Sequence, residues 1–281
     1  MDFLLELPDN EKETSIEVHA LKEAINASAR ANYKMTVSKY FDNLGPWFDL
    51  PQSLRDSLYE SIPVGSIDFV QSYLSKVYSL GAMCPIEVPE RLRIPKMLRR
   101  DYAIVRYKDL PKNGKWFVKD VSALKNGSYV GCISALHSNQ SHFKLNEDHI
   151  YQVSSVLDII SEYRVFVHHD KIVGIQFYDG DVLTMPTPTE IKKIQEAVVR
   201  YSVARDCPDA YTMDWAIINT GCKKEPRDIV ILEVHPFVSV GTYGLEGPIL
   251  VDMYKNGLKW YVDHNTPLTP EEPGGTTYAF F

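Results

Sequence analysis

The chain has no apolar run approaching the length of a membrane span, so nothing in it predicts a transmembrane helix. Cysteine is scarce: Cys84, Cys132, Cys207 and Cys222 are scattered and form no C-x-x-C pair. That pattern suggests neither a zinc site nor a disulfide framework, and the expected setting is a reducing cytoplasm. Positive charge is in deficit, with 30 Lys and Arg against 37 Asp and Glu and a formal net charge of -7. A chain of that sign lacks the extended electrostatic footprint of a nucleic-acid or anionic-membrane binder. The N-terminal M-D-F-L-L-E-L-P has no basic region, and its apolar patch is too short for a signal peptide. A nucleophilic-lysine K-x-D-G or K-x-N-G motif is also missing. Lys119-Asp120-Val121-Ser122 does not match it, and Lys125-Asn126-Gly127 has the wrong spacing. Covalent nucleotidyl transfer through lysine is therefore not expected.

What is present is an ordinary globular-enzyme composition, 44% hydrophobic and 24% charged. At 281 residues the chain is long enough for one large α/β domain or two smaller lobes. Its most informative stretch is Ile229–Gly244, I-V-I-L-E-V-H-P-F-V-S-V-G-T-Y-G. It opens as a buried strand, is interrupted by Glu233, and passes through His235 and Pro236 into a glycine-punctuated loop. A carboxylate in a buried strand must be paired or must hold a metal. The preceding strand, Ala210–Asn219, also carries a lone carboxylate, Asp214. If the two strands pair antiparallel, both acids converge on one face, and two carboxylates with phosphate oxygens are a usual way to hold Mg²⁺.

The rest of the chain reads as α/β. Phe3–Leu7 predicts a strand, Glu11–Ala31 a helix capped by Thr14 or Ser15, and Tyr33–Tyr40 a second strand, which together make a small βαβ-like unit. Ile62–Val70 predicts a turn leading into a helix capped by Ser66 and running to about Leu80. The proline-punctuated Cys84–Pro95 reads as a connection between lobes, and Arg91, Arg93, Lys96, Arg99 and Arg100 as a basic cluster, mostly a solvated face. Lys115–Asp120 predicts a strand with Lys119 near its end, before the small-residue loop Ser122–Gly131. Such a loop reads either as a phosphate cover or as an ordinary hairpin. Tyr151–Val156, Glu162–Val167 and Ile172–Tyr178 predict an antiparallel set of strands, with His168–Lys171 as a turn; His168 and His169 read as turn residues rather than metal ligands. Glu162 and Arg164, two apart, share one face. Thr189–Arg205 predicts an amphipathic helix capped by Thr187 or Thr189.

Taken in order, these segments resemble the ATP-grasp superfamily from about Arg99 to Gly244. F-V-K-D places Lys119 where the family has a nucleotide-binding lysine, and S-A-L-K-N-G-S-Y-V-G matches its phosphate-covering loop. Val153, Ser154, Ser155 and Val156 fall where the adenine-contacting hinge belongs. S-E-Y-R-V-F-V supplies Arg164 as the phosphate or substrate arginine, M-D-W the first metal acid, Asp214, and L-E-V-H-P the second, Glu233. P-V-G-S-I-D-F-V, the L-R-R around Arg100 and S-V-G-T-Y-G resemble more narrowly an uncharacterised bacterial and phage branch that pairs an arginine with two lysines, here Arg100, Lys119 and Lys125. The family usually has asparagine two residues after the second metal acid, and this chain has His235. Imidazole is a poorer ligand than oxygen for a hard cation. His235 then either binds through nitrogen and shifts preference toward Mn²⁺, or yields to water, or moves a proton in the acceptor step.

The resemblance implies an ATP-grasp fold of two lobes gripping ATP. An N-terminal α/β lobe spans 1–95 and the ATP-grasp domain 96–265, with a nucleotide lobe at about 96–155, a metal lobe at about 156–265 and a tail at 266–281. It also implies ATP and Mg²⁺, and an activity joining a carboxylate to an amine of an amino acid, peptide or protein through an acyl phosphate, releasing ADP and phosphate. Lys119 and Arg100 are expected on the phosphates and Arg164 on the transferring phosphoryl group, with Glu162 as its orienting partner. Asp214, Glu233 and His235 are expected at the metal. An ATP-binding protein without ligase activity and an ATP-grasp small-molecule kinase are the alternatives.

Overall fold

The computed structural model describes residues 2–7, 16–28, 31–37, 41, 43–83, 87–122, 127–132, 143–203 and 206–265. Lys125, Cys84, the cap candidates Thr14 and Ser15, and the tail from 266 lie outside them. Three sheets organise the described residues. In the first, β1 (Asp2–Leu7) lies between β2 (Asn32–Val37) and β3 (Ser61–Val64), all parallel. Helix α1 (Ile16–Ser28) makes the crossover from β1 to β2, as the βαβ expectation requires. Strand β1 buries Phe3, Leu4 and Leu5 in succession, as a central parallel strand covered on both faces must. Strand β3 is a departure from the expected turn: four residues with a proline read as a turn, yet Pro63 is tolerated because β3 is an edge.

After α2 (Gln52–Tyr59) and α3 (Ile67–Tyr78), the one-turn helix α4 (Pro95–Leu98) leads to the second sheet. Ser66 caps α3 by accepting the Phe69 N–H at 3.2 Å, as expected. The second sheet is antiparallel, in the order β4 (Tyr102–Arg106), β7 (Ile150–Ser155), β5 (Lys115–Asp120), β6 (Ser128–Cys132). Strands β4 and β6 add to the expected set, and β6 occupies part of the stretch read as a loop.

The third sheet, also antiparallel, runs β11 (Arg227–Pro236), β10 (Ala210–Asn219), β8 (Ile159–His168), β9 (Lys171–Gly180). One face carries Tyr163, Val165, Val167, Tyr211, Met213, Trp215 and Ile217 into a core shared with α5 (Pro188–Ser202). Thr187 caps α5 in a capping box with Glu190. The other face carries the polar residues of the site.

Helix α6 (Ile249–Asn265) lies outside the expected elements. Its buried residues Leu250, Met253, Tyr254, Leu258 and Tyr261 follow helical spacing. They join Phe3, Leu21, Val70 and Leu74 of the first lobe, and Phe166, Ala210 and Phe237 of the third-sheet region, in a single core. Helix α6 thereby ties the region of the first sheet to the third sheet. Contact is closest at Gly257, where an added Cβ would stand 2.1 Å from the Phe237 carbonyl oxygen. Helix propensity alone favours alanine here by about 1 kcal/mol. The packing reverses that sign, and Gly257→Ala is expected to destabilise by about 1–3 kcal/mol in denaturant titration, as overpacking does. A stabilised Gly257→Ala protein would contradict this docking of α6.

Candidate active site

The polar face of the third sheet depends on one extra residue. Asp214 stands opposite Glu233, and Trp215 opposite Ile231, so Leu232 has no partner across the ladder and forms a β-bulge. Strict alternation would place Glu233 and His235 on the same side as Ile229 and Ile231, in the apolar core. Past the bulge, Val234 joins that core instead, and Glu233 and His235 turn to the face of Asp214. Arg100 clasps the bulge: its Nη1 donates to the Ile231 carbonyl at 2.7 Å and its Nη2 to the Leu232 carbonyl at 3.4 Å. The guanidinium also lies 5.6 Å from the Tyr102 ring centroid, and burial lowers its pKa to about 10.

On the polar face, Arg164 stands opposite Asp214 across β8 and β10. Its Nε and Nη2 donate to the two oxygens of Asp214 at 2.7 and 2.6 Å, a two-pronged pair in which Asp214 is 2% exposed. Removing one partner of such a buried pair typically costs about 3–5 kcal/mol. The Arg164 guanidinium lies 5.3 Å from the Tyr178 ring and 4.8 Å from the Tyr243 ring. Tyr178 is itself the extra residue of a bulge in β9, between Phe177 opposite Tyr163 and Asp179 opposite Glu162. Tyr243, at φ 45°, comes from the loop after β11, and Arg164 Nη1 reaches the Gly241 carbonyl of the same loop at 3.4 Å. Sequence reading missed both tyrosines, because one needs the bulge and the other the return of the loop.

The orienting partner of Arg164 is therefore Asp214, not Glu162. Glu162 keeps to the same face, and burial, with the charges of Asp214, Asp179 and Glu233, pushes its pKa up to about 7.

Lys119 reaches across from the second sheet. Its Nζ donates to Glu233 Oε2 at 2.6 Å, and His235 Nε2 lies 2.8 Å from Glu233 Oε1. Burial alone would push the Glu233 carboxyl up; His235 and Lys119 outweigh it and hold the group well below the usual carboxylate range. Ligand atoms of Asp214, Glu233 and His235 all lie within 4.8 Å of one another, the one such group of three among the described residues. Two carboxylates with an imidazole fit a divalent cation, and the nitrogen suits Mn²⁺ better than Mg²⁺.

The expected hinge residues lie at the end of β7, where the chain passes from the second sheet to the third. Val153 and Ser154 are buried, Ser155 Oγ is 2.9 Å from Asp101 Oδ2, and Val156 is exposed. The base of the small-residue loop is pinned by buried Asp120, whose Oδ1 accepts the Ser122 N–H at 2.9 Å and whose Oδ2 lies 2.6 Å from His149 Nδ1.

Among solved structures, the D-alanine–D-alanine ligase of Bacillus anthracis superposes with a TM-score of 0.52 at 12% identity, covering 94% of this chain and 99% of that one. A RimK domain ATP-grasp protein of Sphaerobacter thermophilus gives 0.49 at 9% identity, covering 94% and 99%. N5-carboxyaminoimidazole ribonucleotide synthetase of Thermotoga maritima gives 0.48 at 13% identity, covering 91% and 75%. Identities this low speak to fold alone. Among curated proteins, none matches this chain in sequence. Residues 97–253, more than half the chain, match the family described as ATP-grasp domain, R-two-K clade family 2. The chain belongs to that family and has the ATP-grasp fold.

Proposed function

We propose that this protein is an ATP-dependent ligase joining a carboxylate to an amine, with an amino acid, peptide or protein as substrate. The observation that carries the reading is the meeting of Lys119 from one sheet with Glu233, His235 and the Arg164–Asp214 pair from another. That is a set of cations and anions suited to MgATP. Phosphoryl transfer asks a protein for charge neutralisation and in-line positioning more than for covalent help.

In this reading Asp214, Glu233 and His235 hold the divalent ion, which when bound neutralises charge on the β- and γ-phosphates. Lys119 shifts from Glu233 to the phosphates, and Arg164 stabilises the phosphoryl group in transfer. The hinge Val153–Val156 receives the base. Arg100 secures the bulge and adds positive charge beneath the phosphates, with Lys125, outside the described residues, as the family's second lysine. A substrate carboxylate oxygen attacks the γ-phosphorus and ADP leaves. The amine then attacks the acyl carbon, loses a proton, and inorganic phosphate departs with the carboxylate oxygen. Lobes at 1–95 and 96–265 divide these tasks, with substrate specificity in the first lobe, in Thr220–Asp228 and in the C-terminal tail.

Incubation with ATP, Mg²⁺ and paired carboxylate and amine candidates is expected to release ADP and phosphate, with one ¹⁸O passing from a labelled carboxylate into each phosphate. AMP and pyrophosphate, or unlabelled phosphate, would overturn the mechanism. Accumulation of a stable phosphorylated product would instead mark a kinase.

His235 in the family's asparagine position favours a second reading, in which the chain binds ATP without turning it over. The variant His235→Asn separates the two. A ligase whose metal preference is set by the imidazole is expected to shift its Mg²⁺-to-Mn²⁺ ratio of kcat/KM upward by on the order of tenfold, the scale on which changes around a metal act. A chain that turns over neither as wild type nor as the variant is a binding module.

A further inference from the structure

A second group of metal-type ligands lies away from this site, at the β8–β9 hairpin. The turn is made by His169 and Asp170, both in the left-handed region at φ 46° and 62°. Two-residue turns of this hand favour Asn-Gly or Asp-Gly, because a side chain at positive φ carries a steric cost. The chain spends a histidine there, and the result is unusual. Consecutive strand residues normally point to opposite faces. The turn instead brings the His168 and His169 rings together, with centroids 4.1 Å apart and planes at 43°.

Both rings face one atom. The side-chain amide nitrogen of Asn256 on α6 lies 3.0 Å from His168 Nε2 and 3.4 Å from His169 Nε2. An amide NH₂ donates two protons and accepts none. Both Nε2 atoms therefore converge on a single point. His169 Nδ1 faces Asp209 Oδ1 at 3.7 Å, the place of the outer carboxylate that commonly supports a metal-bound imidazole. Asp252, one turn before Asn256 on α6, adds negative charge to the cluster.

We propose that His168 and His169 form a ligand pair for a borderline divalent transition metal of the Zn²⁺ class, bound where the Asn256 amide now stands. Two convergent imidazoles suit such an ion and discriminate against Mg²⁺. The site is distinct from the catalytic group, since His168 lies four residues along β8 from Arg164, ~13 Å at strand spacing.

The test uses the full-length His235→Asn chain, which has no imidazole at the catalytic site. Cu²⁺ is the spectroscopic probe and Zn²⁺ the titrant. The expected result is a Cu²⁺ resonance signature of two coupled nitrogens, reduced to at most one by His169→Ala, with Zn²⁺ affinity falling at least tenfold. His169 lies on the turn with its ring 58% exposed, so this substitution leaves the core intact. Asn256→Ala, which removes the competing amide, is expected to retain Zn²⁺ binding. Equal Zn²⁺ and Cu²⁺ binding with and without His169, or no binding by the His235→Asn parent, would overturn the proposal and leave the cluster as a hydrogen-bonded latch.

Discussion

The constraint on which the site depends is the extra residue in β11. Without Leu232, a continuous alternation from Ile229 would bury Glu233 and His235 among the side chains of the α5 core. With it, the same strand packs Ile231 and Val234 on one side and delivers Glu233 and His235 to the other. A bulge breaks ladder hydrogen bonds locally and leaves carbonyls in need of donors. Arg100 supplies them from outside the sheet, a half-buried cation stabilised by backbone oxygens rather than by a carboxylate. The residue expected to act on phosphates thus first has a structural task directly beneath the metal face.

The second dependency is charge. Arg164 and Asp214 neutralise one another, as do Lys119 and Glu233, with His235 alongside. Buried charges require this pairing. It also prepares the site for a partner carrying both signs. Under the function proposed above, a cation held by the carboxylates would free Lys119 and loosen Arg164 for the phosphates of the nucleotide. Because Lys119 belongs to the second sheet and Glu233 to the third, their ion pair spans the join between sheets, where β7 hands over to β8.

Much of this was legible in the sequence. Asp214 and Glu233 were conspicuous because apolar strands have no packing use for a carboxylate, and Ser66 and Thr187 because helix starts require an acceptor. The rest escaped for physical reasons. A bulge changes which face a residue occupies without changing residue type, so the roles of Leu232 and Tyr178 cannot be read from alternation. Arg164 has two acids within reach by sequence logic, and only the cross-strand register selects Asp214 over Glu162. Edge strands of four or five residues with proline or glycine, such as β3 and β6, look like turns. The convergence of His168 and His169 needs a left-handed backbone that neither residue advertises.

The central claim is that the bulge in β11 sets Glu233 beside Asp214 as a metal-binding pair within reach of Lys119. Crystals grown with Mn²⁺ and ADP test it directly through the anomalous scattering of manganese. The account predicts a peak bridging the Asp214 and Glu233 carboxylates, with Lys119 drawn from Glu233 toward the diphosphate. A manganese peak away from both carboxylates, or a Glu233 side chain turned into the apolar core, would contradict it.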